Sequence, residues 1–182
     1  MRTLVIHPYD HTTDFLCRVY DGLEDATVIR QAASPHIVSE AILVHERVIA
    51  LGHGTARGLL AVGKFGGAAY VLDDTQAGLM AAGKDNIYIW CNADQYVQRN
   101  DLLSPLYSGM FISEVGEAYM MGLESAKQQD VLESNTGFAD VLNKQLRKGE
   151  QSRHNLIKDY LSFCCRCNDV AYYNVERLYA NT

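Results

Sequence analysis

The sequence predicts a three-layer αβα sandwich around a mostly parallel sheet. Three observations carry this. Apolar strand-like runs alternate with helical patterns, in the order β-α-β-α-β over the first third of the chain. Two of those runs, "RVIALGHG" and "NIYIWC", are apolar on both alternating positions, as strands covered on both faces are. With 182 residues, 48% of them apolar and 21% charged, the chain can bury one full core. A single domain over 1–182 follows, with C-terminal helices from about residue 137.

Taken in order, "RTLVI" reads as a short buried strand. Thr12 or Thr13 can cap a helix running to about Gly22, with Phe15, Leu16, Val19 and Tyr20 on its apolar face. "ATVIRQ" is a second strand. Ser34-Pro35 marks a helix start, Ser as N-cap and Pro in the first turn, with Ile37, Val38, Ala41, Ile42 and Val44 facing inward. "RVIALGHG" is the third strand. Two apolar stretches then flank Gly66-Gly67, a hairpin signal, with Asp73-Asp74 read as turn residues. "TQAGLMAAGK" is a short helix and "NIYIWC" another buried strand. "GMFISEVGEAYMMG" reads as a strand followed by a helix. Helices at about 137–148 and 152–179 close the chain, and "KQLRKGEQSR" is a solvated helix end and loop.

Charge and composition narrow the partners. The net charge is −6 and no basic stripe runs along any element, so nucleic acid is not expected. No stretch approaches the roughly 18–20 apolar residues that span a bilayer. The first apolar run is too short for a signal peptide, so no membrane partner and a cytoplasmic location are expected. Five cysteines, an odd number with three clustered, make a disulfide framework the wrong reading. Cys164, Cys165 and Cys167 resemble a metal cluster, but three thiols on one helix converge poorly. Cys164 falls on the same helical face as Ile157, Tyr160, Leu161, Ala171 and Val175, so it is read as core. Neither a metal nor another cofactor is expected. The oligomeric state stays open, a homo-oligomer included.

The chemistry sits at two strand ends. His53 and Cys91 each close a buried apolar run, and in open α/β sheets functional groups collect at the carboxyl ends of strands. A free thiol near pKa 8.5 is only about 3% ionised at pH 7. An imidazole beside it can take its proton and later return it to a leaving group. Gly54 lets a backbone N–H approach a substrate carbonyl and, with the N–H of Cys91, stabilise an oxyanion. Asp94, three residues past Cys91, is a candidate reader of a cationic substrate group. Ser113 and Glu114, at the end of a predicted strand, are candidates to wall the pocket. His7 and His11 flank the carboxyl end of the first strand and could line the same rim, but are read first as loop histidines near Pro8; Asp10 is similar, with a helix-start role.

The apolar-His-Gly element "ALGHGT", followed after a hairpin by the apolar-Cys element "IYIWCNAD", resembles the caspase-like cysteine peptidases. Among them it looks closest in style to the bacterial CHAT domains. The resemblance covers roughly Arg2 to Gly122. It implies a caspase-like fold with His53 as base, Cys91 as nucleophile and Gly54 as oxyanion donor, acting on a peptide or a small-molecule amide. Asn92-Ala93-Asp94 after the Cys and the bulky Trp90 before it depart from the family pattern. The alternative is a non-catalytic protein on the same shell, holding a small or nucleotide-like ligand, or a protein partner, in the strand-end pocket.

Overall fold

The computed structural model describes residues 1–31, 33–61, 70–82, 85–164 and 167–181. The chain is mixed α/β around a six-stranded sheet. Its strands are β1 (Thr3–Ile6), β2 (Ala26–Ile29), β3 (Arg47–Leu51), β7 (Ile87–Ile89), β8 (Leu106–Ser108) and β9 (Leu178–Tyr179). Their order in space is β2-β1-β3-β7-β8-β9. The first five are parallel, and β9 runs antiparallel to β8. Between β3 and β7 the chain builds a small antiparallel sheet from β4 (Gly54–Thr55), β5 (Gly58–Leu60) and β6 (Tyr70–Leu72). The two flanks of the expected hairpin thus pair as β5 and β6, while Gly66-Gly67 lies outside the described residues.

Eight α-helices surround the sheet among the described residues: α1 (Cys17–Tyr20), α2 (Pro35–Leu43), α3 (Asp74–Met80), α4 (Ala93–Arg99), α5 (Val115–Met120), α6 (Gln128–Lys148), α7 (Arg153–Phe163) and α8 (Asp169–Val175). Successive strand residues point to opposite faces, and the core divides accordingly. Val5, Ile49, Leu51, Ile87, Ile89 and Leu106 join α1, α6, α7 and α8 through Val19, Phe138, Leu142, Leu156, Tyr160 and Ala171. Leu4, Ile6, Val48, Ala50, Tyr88 and Tyr107 join α2, α3 and α4 through Val38, Ile42, Met80, Tyr96 and Val97. Helices therefore cover both faces, consistent with a three-layer arrangement.

Local chemistry sets the element ends. Ser34 caps α2 by accepting from the Ile37 N–H, with Pro35 in the first turn. Asp73 is a true cap rather than a turn residue. Its carboxylate takes the Thr75 N–H while Gln76 returns to the Asp73 N–H. Gly149, at φ 69°, ends α6 in the left-handed conformation that glycine adopts freely.

Several boundaries differ from the sequence reading. Instead of one helix from Thr12 or Thr13, a 3-10 turn over Asp14–Leu16 leads into α1. The Thr12 hydroxyl is held by Asp10, so it caps nothing. Ile37 and Val44 are 53% and 54% exposed, and only Val38 and Ile42 of the expected inner face of α2 are buried. The strand expected at "GMFIS" is one element earlier, at Leu106–Ser108. The residues after it bond to side chains instead: Asn174 accepts from the Ile112 N–H and donates to the Ile112 C=O. The helix expected over 152–179 is three elements. α7 stops where Cys164 turns extended (ψ 152°), the Asn168 side chain caps a new helix α8, and the chain ends in β9. Likewise α6 begins nine residues before the expected 137. Among the described residues no helix is long and apolar enough to cross a membrane.

Candidate active site

Three parallel strands deliver the site. β1 and β2 lie on one side of β3, and β7 and β8 on the other, so chain order reverses beside β1 and β3. Crevices at the carboxyl ends of strands form at such a reversal. The register pairs Leu51 with Ile89. His53 and Cys91 each stand two residues further on, so side-chain alternation sends both toward the face of Leu51 and Ile89. Both line one cavity, together with Thr13, Phe15, Leu16, Gly52, Ile89, Trp90, Phe111 and Ser113. The cavity is about 20 Å³, on the scale of a single water.

The walls are held from three directions. Phe15 and Leu16 come from the 3-10 turn after β1. Phe111 and Ser113 come from the segment after β8, which the C-terminal helices grip. Asn174 on α8 holds the Ile112 backbone, and Asn135 on α6 donates to the Ser113 carbonyl at 2.9 Å. The Cys91 thiol donates to the Phe111 carbonyl at 3.6 Å.

His53 is almost fully buried, its side chain 8% exposed. Its Nε2 lies 2.6 Å from Thr12 Oγ1 and 3.6 Å from Asp10 Oδ1. Thr12 is tied to the same carboxylate oxygen through its backbone N–H at 2.8 Å and its hydroxyl at 2.6 Å. Burial opposes ionisation of Asp10. The two bonds from Thr12, with attraction from His53 and His11, outweigh that and hold its carboxyl below the usual range.

Gly54 has a steric reason to be glycine. A β-carbon there would stand 2.5 Å from Trp90 Cγ and 2.7 Å from the Gly58 carbonyl oxygen. Its N–H is also turned away from the small sheet. Gly54 faces Leu59, and the bond from the Leu60 N–H to the His53 C=O makes that pair a non-hydrogen-bonded one. Gly54 is not among the residues that line the cavity; Gly52 is.

Of the other expected site residues, Ser113 is on the cavity wall and Asp94 and Glu114 are not. Asp94 is in the first turn of α4 and faces Gly109, whose β-carbon would stand 3.7 Å from its Cγ. Its Oδ1 is buried with no hydrogen-bond partner among the described residues. Glu114 is the N-cap of α5, where its N–H donates to the Glu117 carboxylate. Neither it nor Ser113 ends a strand. The sequence reading gave Thr12 no part in the site and set Asp10 down as a helix-start residue ahead of a rim residue. Their only signal was position, after the strand that pairs with β3.

A second His–Cys pair lies nearby. His7, fully buried, has Nδ1 3.0 Å from the Tyr20 hydroxyl and 3.9 Å from Cys17 Sγ. The Tyr20 O–H donates to Cys17 Sγ, and the Cys17 thiol donates to Asp14, itself paired with Arg30. Burial, helped by the Arg30 charge, brings His7 down to about 4, and burial pushes the Cys17 thiol up. Of the clustered cysteines, Cys164 is buried in the core beside Tyr160 and Ala171, Cys167 is exposed, and Cys165 lies outside the described residues.

Comparisons of the chain with family models, with curated proteins and with solved structures find no match.

Proposed function

We propose that the protein is a caspase-like cysteine peptidase or related amidase, with Cys91 as nucleophile and His53 as general base. The observation that carries this reading is the shared cavity: two strand-end residues, on adjacent parallel strands and on the same face, line one space. In this reading His53 takes the Cys91 proton as Sγ attacks the amide carbon. The oxyanion accepts from the N–H groups of Gly54 and Cys91. His53 then gives its proton to the leaving amine, and the C–N bond breaks to leave a thioester on Cys91. Water, deprotonated by His53, hydrolyses the thioester and restores the thiol. Phe15, Leu16, Ile89 and Phe111 line the cavity that Cys91 borders. The acyl side of the substrate is therefore apolar and small.

The test is a panel of fluorogenic peptides with Ala, Leu, Asn, Asp, Lys or Arg before the scissile bond, run beside a Cys-directed acyl probe. Cleavage is expected after Ala or Leu. It is lost in Cys91→Ala and in His53→Ala, each with unchanged far-UV circular dichroism. Arg or Lys as the preferred residue would instead assign Asp94 the part of substrate reader. No cleavage of any peptide, together with no labelling of Cys91 by the acyl probe, would overturn the peptidase reading and leave a binding pocket on the same shell.

A further inference from the structure

We infer that Asp10 and Thr12 form a carboxylate–hydroxyl relay that fixes the tautomer and direction of His53, so that its Nδ1 is the atom that exchanges the proton with Cys91. This rests on reading His53 as the base, and it adds two positioning residues that no motif announced.

The proton count fixes the tautomer. A carboxylate only accepts, so the hydroxyl proton of Thr12 goes to Asp10 Oδ1, 2.6 Å away. The Thr12 oxygen, 2.6 Å from His53 Nε2, must then accept. The Nε2 therefore carries the hydrogen, and the neutral ring carries its lone pair on Nδ1. The Thr12 N–H is also bonded to Asp10 Oδ1 at 2.8 Å, which fixes the backbone of the turn that carries the hydroxyl. The arrangement is a tight turn closed twice by one oxygen.

The same geometry serves the charged state. When the ring takes the thiol proton it becomes imidazolium, with Nε2 3.6 Å from Asp10 Oδ1. The ring is nearly sealed from water, so the carboxylate acts on it with less screening than at a surface. Asp10 thus stabilises the thiolate–imidazolium pair while touching neither the thiol nor a substrate. The other ionisable groups around this chain of bonds do not replace it. His11, 87% exposed, approaches Asp10 Oδ1 at 3.9 Å. His7, buried and lowered to about 4, is neutral at pH 7. Asp14 is paired with Arg30. Across the cavity stand Cys91 itself and the uncharged Ser113.

The experiment is site-resolved iodoacetamide labelling of Cys91 from pH 5 to 9 in the full chain, comparing wild type with Asp10→Asn, Thr12→Val, Thr12→Ser and His53→Ala. Trp90 emission serves as the check on folding. Wild type is expected to label well below the usual thiol range. Asp10→Asn and Thr12→Val are expected to slow labelling at pH 7 by at least about tenfold and to move the profile upward. Thr12→Ser, which keeps the hydroxyl, restores it, which a merely structural threonine would not require. If Asp10→Asn and Thr12→Val label as wild type does while His53→Ala is slow, the relay is wrong and the dyad stands. If His53→Ala also labels as wild type does, the dyad reading falls and takes the relay with it. Failure of Thr12→Ser to restore the profile counts against the relay as well.

Discussion

Among the described residues, His7 stands 3.9 Å from Cys17 and His53 shares a cavity with Cys91, and the two settings differ in what lies behind the imidazole. His7 is fully buried and Cys17 beside it half-buried. The His7 ring meets the Tyr20 hydroxyl and a thiol that already donates to Asp14. His53 is nearly as buried, but one nitrogen is anchored on Thr12 and, through it, on Asp10. The ring also borders a cavity that it shares with Cys91. The difference is in what anchors the ring: Thr12 and Asp10 hold His53, whereas His7 meets Tyr20 and Cys17. Burial and the Arg30 charge drive the His7 pKa down against the opposing pull of Asp14 and Asp10.

The largest expected effect tests the His7 side. Its ordinary value of 6.5 falls to about 4 in the fold. As pH drops below 6.5 the unfolded chain binds a proton that the folded chain refuses until about pH 4. The unfolded state thus gains relative to the folded one throughout that window. The His7 contribution to stability is intact above pH 6.5 and is lost on going down to pH 4, amounting to about 3 kcal/mol. Urea unfolding of wild type and His7→Leu at pH 7 and pH 4.5 should show a clearly smaller acid loss in the variant. Parallel losses in the two proteins would mean that His7 is not the buried neutral group described.

An intermediate effect tests the His53 side alone. Gly54→Ala puts a β-carbon against the Trp90 indole and the Gly58 carbonyl. Overpacking of this kind costs on the order of 2 kcal/mol. Trp90 is the single tryptophan of the chain, so its emission reports the displacement directly. Cys17 labelling should not change. A variant as stable as wild type with unaltered emission would show that the close approach of Trp90 to Gly54 does not exist in solution.

The smallest effect compares the thiols themselves. At pH 7.5, Cys91 should react with iodoacetamide at least about tenfold faster than Cys17, whose thiol burial pushes up. Mass spectrometry of early time points resolves the sites. If Cys17, Cys164, Cys165 or Cys167 labels as fast as Cys91, the two His–Cys environments are not chemically distinct.

Where the sequence reading succeeded, short-range rules were enough. β1 and β3 are buried apolar runs, and α2 starts at Ser34-Pro35 as the cap rule requires. His53 and Cys91 stand at equal distances past strands of the same kind, so parity alone puts them on one face once the strands are neighbours. It failed where an element's hydrogen bonds go to something distant. Residues 109–113 are apolar enough for a strand, but Asn174 and Asn135, 62 and 22 positions away along the chain, take the Ile112 and Ser113 backbone groups. Ile157, Tyr160, Leu161, Cys164, Ala171 and Val175 keep one apolar face across a break that only the cap at Asn168 reveals.

The sequence by itself determined the alternation of strands and helices, the double burial of β3 and β7, and the placing of His53 and Cys91 just past the ends of those two strands. All of these follow from periodicity and residue type, which are local. Only the tertiary structure decided that β1 lies against β3, which brings Asp10 and Thr12 to His53 Nε2. It also decided that Asp94 and Glu114 face elsewhere, because α4 and α5 each start with a side chain turned from the cavity. Thr12 and His53 are 41 positions apart, and nothing periodic in the sequence between them signals that they meet. Strand order, which is a property of the whole sheet, is what closes that distance.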